Sequence, residues 1–284
     1  MAKRRVVLTG ACGVIAGRVL SDLQDKYDLV LLDARNKDSK GRTIADVIQV
    51  DLLDRNRDAY REHFKGADAV VHCAFLQDGE FDYYNPDRFW MEHDNVKLAY
   101  NVFMTCQEEK VRRVVIMSSN HATDYYENLF HEDRIEFITP EMPPASDNFY
   151  GWAKISYEAL GFSFACGGIG AGRVENVHLR IGGPRETDID NCGPDNLKKM
   201  HRALGAYLSQ RDEVQLIVKS VETESIADDN GVPFQIFYGI SGNTHNFWSI
   251  QNARRVIGYE PQDDSQVVFS DKIAAILQQA KSNA

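Results

Sequence analysis

Positive charge is in short supply in this chain. Its 284 residues hold 32 lysines and arginines against 42 aspartates and glutamates, a formal net charge of −10. A surface of that sign repels phosphate backbones and acidic lipid, so nucleic acid and membrane surfaces are excluded as general partners. Long apolar runs are lacking as well, which leaves no candidate membrane span. The basic, then apolar start MAKRRVVLTGACGVI is interrupted by Thr9, Gly10 and Gly13 and continues into helix-like sequence, so it does not read as a signal peptide. The 5 cysteines are scattered and odd in number, without C-x-x-C spacing. Neither a disulfide framework nor a metal site is indicated, and reduced thiols in the cytoplasm are the expectation. With 8 prolines and 43% hydrophobic residues, the remaining composition is that of an ordinary globular protein.

What the chain does have is a rhythm. Short β-branched runs, RRVVLTG (4–10), DLVLLDA (28–34), DVIQVDL (46–52), DAVVHCA (68–74), RRVVIMSS (112–119) and NVHLRIG (176–182), alternate with helix-like segments such as AGRVLSDLQDKY, RDAYREHFKG and VKLAYNVFMTCQEE. These runs are apolar at successive positions, as expected of parallel strands covered on both faces. The fold class expected is α/β, a Rossmann-type doubly wound parallel sheet. After Arg180 the rhythm changes. A Gly/Pro/Asp-rich loop leads into LKKMHRALGAYLSQRDEVQLIVKSV, read as helix, then the strand PFQIFYGIS and a short C-terminal helix. Residues 1–182 are thus expected to form the dinucleotide-binding domain, with strand 233–241 returning to it. Residues 183–232 and 242–284 would form a small C-terminal substrate lobe.

The first strand runs into TGACGVIAGRV, where Gly10, Gly13 and Ala16 have the spacing of a turn that lets backbone approach a pyrophosphate at a helix N-terminus. About twenty residues on, Asp33 closes the next strand, placed to accept from the adenosine ribose hydroxyls. A carboxylate there disfavours a 2′-phosphate, so NAD is expected, while Arg35 leaves room for NADP. Asp51 and Leu52 are expected against the adenine. In NFYGWAKISYEAL (148–160), Tyr150 and Lys154 are four residues apart and share a helix face. A neighbouring ammonium and a positive nicotinamide ring both favour phenolate, which makes the tyrosine usable as a base near neutral pH.

TGACGVIA, Asp33, VDLLD, VVHCA, Asn95, IMSS and YGWAK stand in the order seen in the extended short-chain dehydrogenase/reductases of the NAD-dependent epimerase/dehydratase superfamily, which nearly all of the chain resembles. The resemblance implies that Tyr150 is the general base and that Lys154 orients it and binds the nicotinamide ribose. It implies that Ser119 polarises the substrate oxygen, although Asn120 stands where the family's Ser/Thr commonly is. It also implies cofactor contacts from Val14 and Ile15 after the glycines, from Cys73, Ala74 and Phe75 after the fourth strand, and from Asn95 and Ile181. The signature S-S-N-H, LRIGGP and the late FYGISGNTHNFWSIQNARRVIGYEPQDDS resemble uronate dehydrogenases and haloarchaeal-type glucose-6-phosphate dehydrogenases. That likeness implies oxidation of C1 of an anionic aldose to a lactone, with Ser119, Asn120 and His121 on sugar oxygens and Arg202 on the acidic group. A guanidinium fork suits a carboxylate or phosphate, whereas Lys198 and Lys199 beside it read as a solvated basic face. Gln77 and Gly183 stand where the uronate enzymes carry serine, and the aromatic-rich stretch 78–94 is an addition beside the expected sugar pocket. The competing enzyme class is a nucleotide-sugar epimerase or dehydratase. The family's helices bearing Asn95 and Tyr150 often pair across a dimer, which implies a homodimer here.

Overall fold

Among the described residues, seven strands, all parallel, form one sheet in the order β3-β2-β1-β4-β5-β6-β7. The computed structural model describes residues 3–77 and 82–283. The strands are β1 (Arg5–Thr9), β2 (Asp28–Asp33), β3 (Val47–Gln49), β4 (Ala69–His72), β5 (Arg113–Ser119), β6 (Glu175–Ile181) and β7 (Phe234–Gly239). The helices are α1 (Val14–Lys26), α2 (Arg88–Glu108), α3 (Asp124–His131), α4 (Phe149–Cys166), α5 (Leu197–Ala206), α6 (Gln210–Glu222), α7 (Gln251–Ile257), α8 (Ser265–Val268) and α9 (Ser270–Asn283). The chain order reverses between β1 and β4, and the crevice at the carboxyl ends of those strands is where such sheets take ligands.

Successive strand residues serve opposite cores. Val6 and Leu8 of β1 pack with α1 and α6 through Val19, Leu23, Leu216 and Ile217. Val7, between them, packs with α2 and α4 through Val102, Phe103, Tyr157 and Phe164. A strand buried on both faces has no polar side to show, which is why these segments read as unbroken apolar runs.

Three elements depart from expectation. The long helix read through 197–221 is two helices, because Ser209 caps α6 by accepting from the Asp212 amide. The intervening backbone bridges to Gly183 instead, with Gly183 N donating to Ala206 O and Leu208 N to Gly183 O. The RDAYREHFKG segment forms two 3-10 turns, Arg57–Ala59 and Arg61–Phe64, rather than an α-helix. Its buried residues Tyr60 and Phe64 point into the sheet's core. The expected boundary of the small lobe also shifts, since α6 lies within 183–232 yet covers the main sheet through Leu216, Ile217 and Val221. What stands apart is a smaller core of Ile189, Met200, Leu204, Tyr207, Phe269 and Ile273, joining α5 to the C-terminal helix.

Candidate active site

The glycine turn fits a dinucleotide. Gly10 has φ +70° and lies so close to the chain after β4 that a Cβ would come within 2.5 Å of Ala74 N. Only glycine tolerates both conditions. Gly13 donates to Gly10 O at 2.8 Å and serves as the N-cap of α1. The helix thus starts with its free amides and positive dipole end toward the crevice, as an anion site requires. Val14 is exposed at this start and Ile15 half-buried behind it.

Asp33, at the end of β2, accepts from Cys12 N at 2.9 Å and from Arg35 N at 3.1 Å. These bonds fix the carboxylate beside the glycine turn, where the ribose hydroxyls were expected. Asp51 and Leu52 follow β3 rather than ending it. Asp51 caps the Leu53 amide at 2.9 Å, and Leu52 O accepts from Asn101. Asn95 clamps the loop after β4 from both sides, accepting from Leu76 N at 2.7 Å and donating to Leu76 O at 3.2 Å. Its observed work is to hold the loop that carries Cys73, Ala74 and Phe75. Gln77 ends that loop exposed, and Ile181 closes β6 level with Ser119 of β5. Of the stretch 78–94, residues 78–81 lie outside the described residues.

Tyr150 and Lys154 lie in α4, whose N-terminus is capped by Asn148 Oδ1 on Gly151 N at 2.9 Å. Any side chain at Gly151 would overlap His121 O and Ser146, so this glycine lets the helix abut the turn after β5. The Ser119 hydroxyl donates to Asn120 Oδ1 at 3.4 Å and lies near enough to the Tyr150 phenol to favour its ionised form. Lys154 Nζ donates to Met117 O at 3.1 Å and sits 5.3 Å from the Tyr150 ring centroid and 4.7 Å from that of Phe75. Burial raises the phenol well above its ordinary value, and the Ser119 hydroxyl opposes this. Burial also pushes Lys154 down to about 8, with Glu92 opposing. One of the two charges expected to favour phenolate is therefore itself weakened by desolvation.

The polar run after β5 is a 3-10 turn, Asn120–Thr123, braced from below. Thr123 Oγ1 donates to Asn120 O at 2.9 Å and lies 2.9 Å from Tyr238 OH. Arg180 Nη1 donates to that tyrosine at 3.1 Å, and Glu158 takes the rest of the guanidinium. Ser118 donates to Glu158 Oε1 at 2.8 Å. The four small polar residues thus have two tasks. Ser118 and the turn's backbone anchor downward, while Ser119 and His121 line the crevice. Asn120 is buried, and its Nδ2 has no partner among the described residues. His121 Nδ1 lies 2.8 Å from Asp124 Oδ2, which also accepts from Asn148 Nδ2 at 2.8 Å.

The stretch 78–94 was expected beside the sugar pocket, and three of its residues, not singled out from the sequence, lie near Tyr150. Tyr83 stacks on His121 with centroids 4.7 Å apart and meets Tyr150 edge-on at 5.7 Å. Its phenol lies 3.3 Å from His121 Nε2. Arg88 and Glu92 form a buried ion pair at 2.8 Å on α2, with the guanidinium carbon 6.0 Å from the Tyr150 ring centroid. Arg202, expected on a substrate's acidic group, carries a carboxylate of the protein itself. Its Nε and Nη2 donate to Glu127 at 2.6 and 3.0 Å. Lys198 and Lys199 lie toward the open end of α5, as the solvated-face reading expected.

Known proteins resemble this geometry. The model of the NAD dependent epimerase/dehydratase family matches residues 6–172. The L-arabinose 1-dehydrogenase (NAD(P)(+)) of Haloferax volcanii is 29% identical over 93% of this chain and 98% of its own. The NAD-dependent glucose-6-phosphate dehydrogenase of the same organism is 30% identical over 92% of this chain and 94% of its own. Among solved structures, a uronate dehydrogenase from Agrobacterium tumefaciens complexed with NAD superposes with a TM-score of 0.73 at 23% identity, covering 97% of this chain and 90% of that one.

Proposed function

The chain belongs to the NAD dependent epimerase/dehydratase family, and from that premise we propose that it is an NAD-dependent oxidoreductase that converts C1 of an aldose to the lactone. The sequence resemblance implied anionic hexoses (a uronate, a hexose 6-phosphate or another 6-acidic sugar), while one relative is named for a neutral sugar, so the class proposed is an aldose, acidic or neutral. The names of the relatives span uronate, glucose 6-phosphate and arabinose, so an aldose is their common ground, and the arabinose enzyme's name gives position 1. One observation carries the proposal. A phenol 5.3 Å (ring centroid) from the ammonium one helical turn along stands against Phe75, whose neighbour Ala74 packs on the glycine turn.

NAD, when bound, supplies a two-electron acceptor for hydride. Gly10, Gly13 and the start of α1 would hold its pyrophosphate, Asp33 the adenosine ribose, and Lys154 the nicotinamide ribose. Ser119 donates to the C1 oxygen and so fixes it next to Tyr150. Tyr150, as phenolate, removes the C1 hydroxyl proton. The ammonium of Lys154 and the Ser119 hydroxyl stabilise the negative charge on the phenol oxygen before it does so. Asn120 and His121 are assigned to ring hydroxyls, with Asp124 fixing the imidazole's tautomer. Phe75 and Tyr83 flank the phenol and limit water at the reacting carbon.

The test is the appearance of NADH absorbance with glucuronate, galacturonate, glucose 6-phosphate, arabinose and neutral hexoses. Production of NADH from at least one is expected, and none with any aldose rejects the activity. We assign the protein to the cytoplasm, an assignment supported by five unpaired thiols; among the described residues no helix is long and apolar enough to cross a membrane. A homodimer through α2 and α4 is supported by Tyr100 and Phe162, 41% and 48% exposed on those helices.

A further inference from the structure

Arg202 is placed to take an anion, and one is already there. Its two donors meet the two oxygens of Glu127 in the side-by-side fork that a substrate carboxylate would use. Among the described residues its third nitrogen, Nη1, makes no hydrogen bond, and 33% of the side chain is open. Glu127 is the more deeply set partner, with 12% of its side chain open, and burial raises its carboxyl while Arg202 lowers it. The pair borders the proposed sugar pocket. Glu127 lies one helical turn beyond Asp124 on α3, and Asp124 pairs with His121 Nδ1 at 2.8 Å, while Tyr83 stacks on that imidazole.

The charges around the pair are mixed, and the basic neighbour one turn back on α5, Lys198, is exposed to solvent. Asp124 and Asp188 join Glu127 on the acidic side, against Arg202 and the exposed Arg185. Arg88, nearer to Tyr150, is matched by Glu92. To seat a second carboxylate or a phosphate on Arg202, the pocket must strip Glu127 of the cation that, among the described residues, alone is bonded to it, while it stays buried. A hydroxyl group meets no such obstacle. It can accept from Nη1 of Arg202 and leave the pair intact. Nearer the turn, Asn120 Nδ2 is a buried donor still lacking an acceptor among the described residues.

We infer that Glu127 is a specificity-determining residue: by occupying two nitrogens of Arg202, it sets the far end of the pocket to take a hydroxyl of a neutral aldose in preference to a carboxylate or phosphate. This rests on the proposed aldose-dehydrogenase site and narrows its substrate class. Arg202 then acts as a neutralised hydrogen-bond donor rather than a counter-charge.

The test compares sugars that differ only at C6: galactose, galacturonate and galactose 6-phosphate, and the matching glucose set. Binding to the NADH complex is measured by calorimetry beside turnover with NAD, so that selectivity is read even if chemistry fails. In the unaltered protein, the neutral member of each set should bind roughly tenfold or more tightly than its acidic partners. Glu127→Gln keeps the shape but leaves the guanidinium charged, and should move the acidic-to-neutral ratio at least tenfold toward the acid, through KM rather than kcat. Preference for the acidic sugars in the unaltered protein overturns the inference, as does an unchanged ratio in Glu127→Gln or binding of no sugar. If Glu127→Gln does not fold, the comparison in the unaltered protein still decides. Sugar binding without NADH formation rejects the proposed activity and leaves the charge rule to be judged on affinity.

Discussion

Glu158 and Arg180 meet as a bidentate pair in the interior, with Nε and Nη2 of the guanidinium 2.8 and 2.7 Å from the two carboxylate oxygens. Neither side chain is more than 4% exposed. Glu158 lies one helical turn beyond Lys154 on α4, and Arg180 lies on β6 next to the edge strand β7, so the pair locks α4 to the sheet. Removing one partner strands a buried charge, which costs about 3–5 kcal/mol. Glu158→Ala should lower the denaturation midpoint accordingly, and a chemical-denaturation curve overlaying that of the unaltered protein would contradict the network's importance.

The phenol's role is separable from its packing. Tyr150→Phe keeps the ring beside Phe75, His121 and Tyr83 and removes only the oxygen. Turnover should fall roughly 10² to 10⁴-fold, while NADH titration by fluorescence gives a nearly unchanged dissociation constant. Full activity in this variant would rule out proton removal by Tyr150.

The two glycines of the first turn and helix make opposite forecasts. Gly10→Ala forces a Cβ against Ala74 N and a left-handed φ of +70°, so NAD affinity and stability should both drop. At Gly17, inside α1, a Cβ would meet open space. Gly17→Ala should raise stability by about 0.5–1 kcal/mol. Thermal melts of the two variants with and without NAD distinguish them, and equal behaviour would refute the close approach at Gly10.

Desolvation sets a pH limit for cofactor binding. Lys154 titrates at about 8 in the free protein because burial disfavours its charged form. The ammonium is what can donate to ribose hydroxyls, and its population falls as pH rises through that value. NAD affinity should therefore be flat below about pH 7 and weaken above about 8, measured by titration across the range. Lys154→Met should bind NAD weakly at every pH. A flat profile for the unaltered protein would count against the assignment.

If α2 and α4 form the dimer face, Phe162→Asp should yield a monomer in light scattering while retaining its melt. Dimers that persist unchanged would place the contact elsewhere.

The sheet was readable because parallel strands covered on both faces leave no alternation to confuse, and Val6, Val7 and Leu8 report that directly. The cofactor turn and the Tyr150–Lys154 pair were readable because their meaning lies in local spacing. Glu127, Tyr83 and Arg88 were not. The stretch holding Tyr83 and Arg88 stood out, but their individual contacts, and that of Glu127, depend on residues distant in sequence: His121 for Tyr83, Tyr150 for Arg88, and Arg202, 75 residues on, for Glu127. The Glu158–Arg180 pair did leave a trace. Glu158 is the sole acid of α4, an otherwise apolar helix, and Arg180 interrupts an apolar strand. Two such opposite charges in buried segments are each other's natural partner. The break between α5 and α6 was hidden because Tyr207 and Leu208 continue a helical apolar pattern, although Ser209 with Asp212 three residues on was a start signal.

Thr123 shares its hydroxyl with Tyr238, which belongs to the last strand of the sheet. The crevice that would hold a dinucleotide is furnished by early segments, whereas the floor beneath Asn120 needs Tyr238, 115 positions after Thr123. Grafting a foreign carboxyl-terminal third onto this chain would keep its nucleotide groove and lose the stiffness of its sugar-facing corner. Recombination among such proteins is thereby confined to donors that bring a matching phenol on that strand.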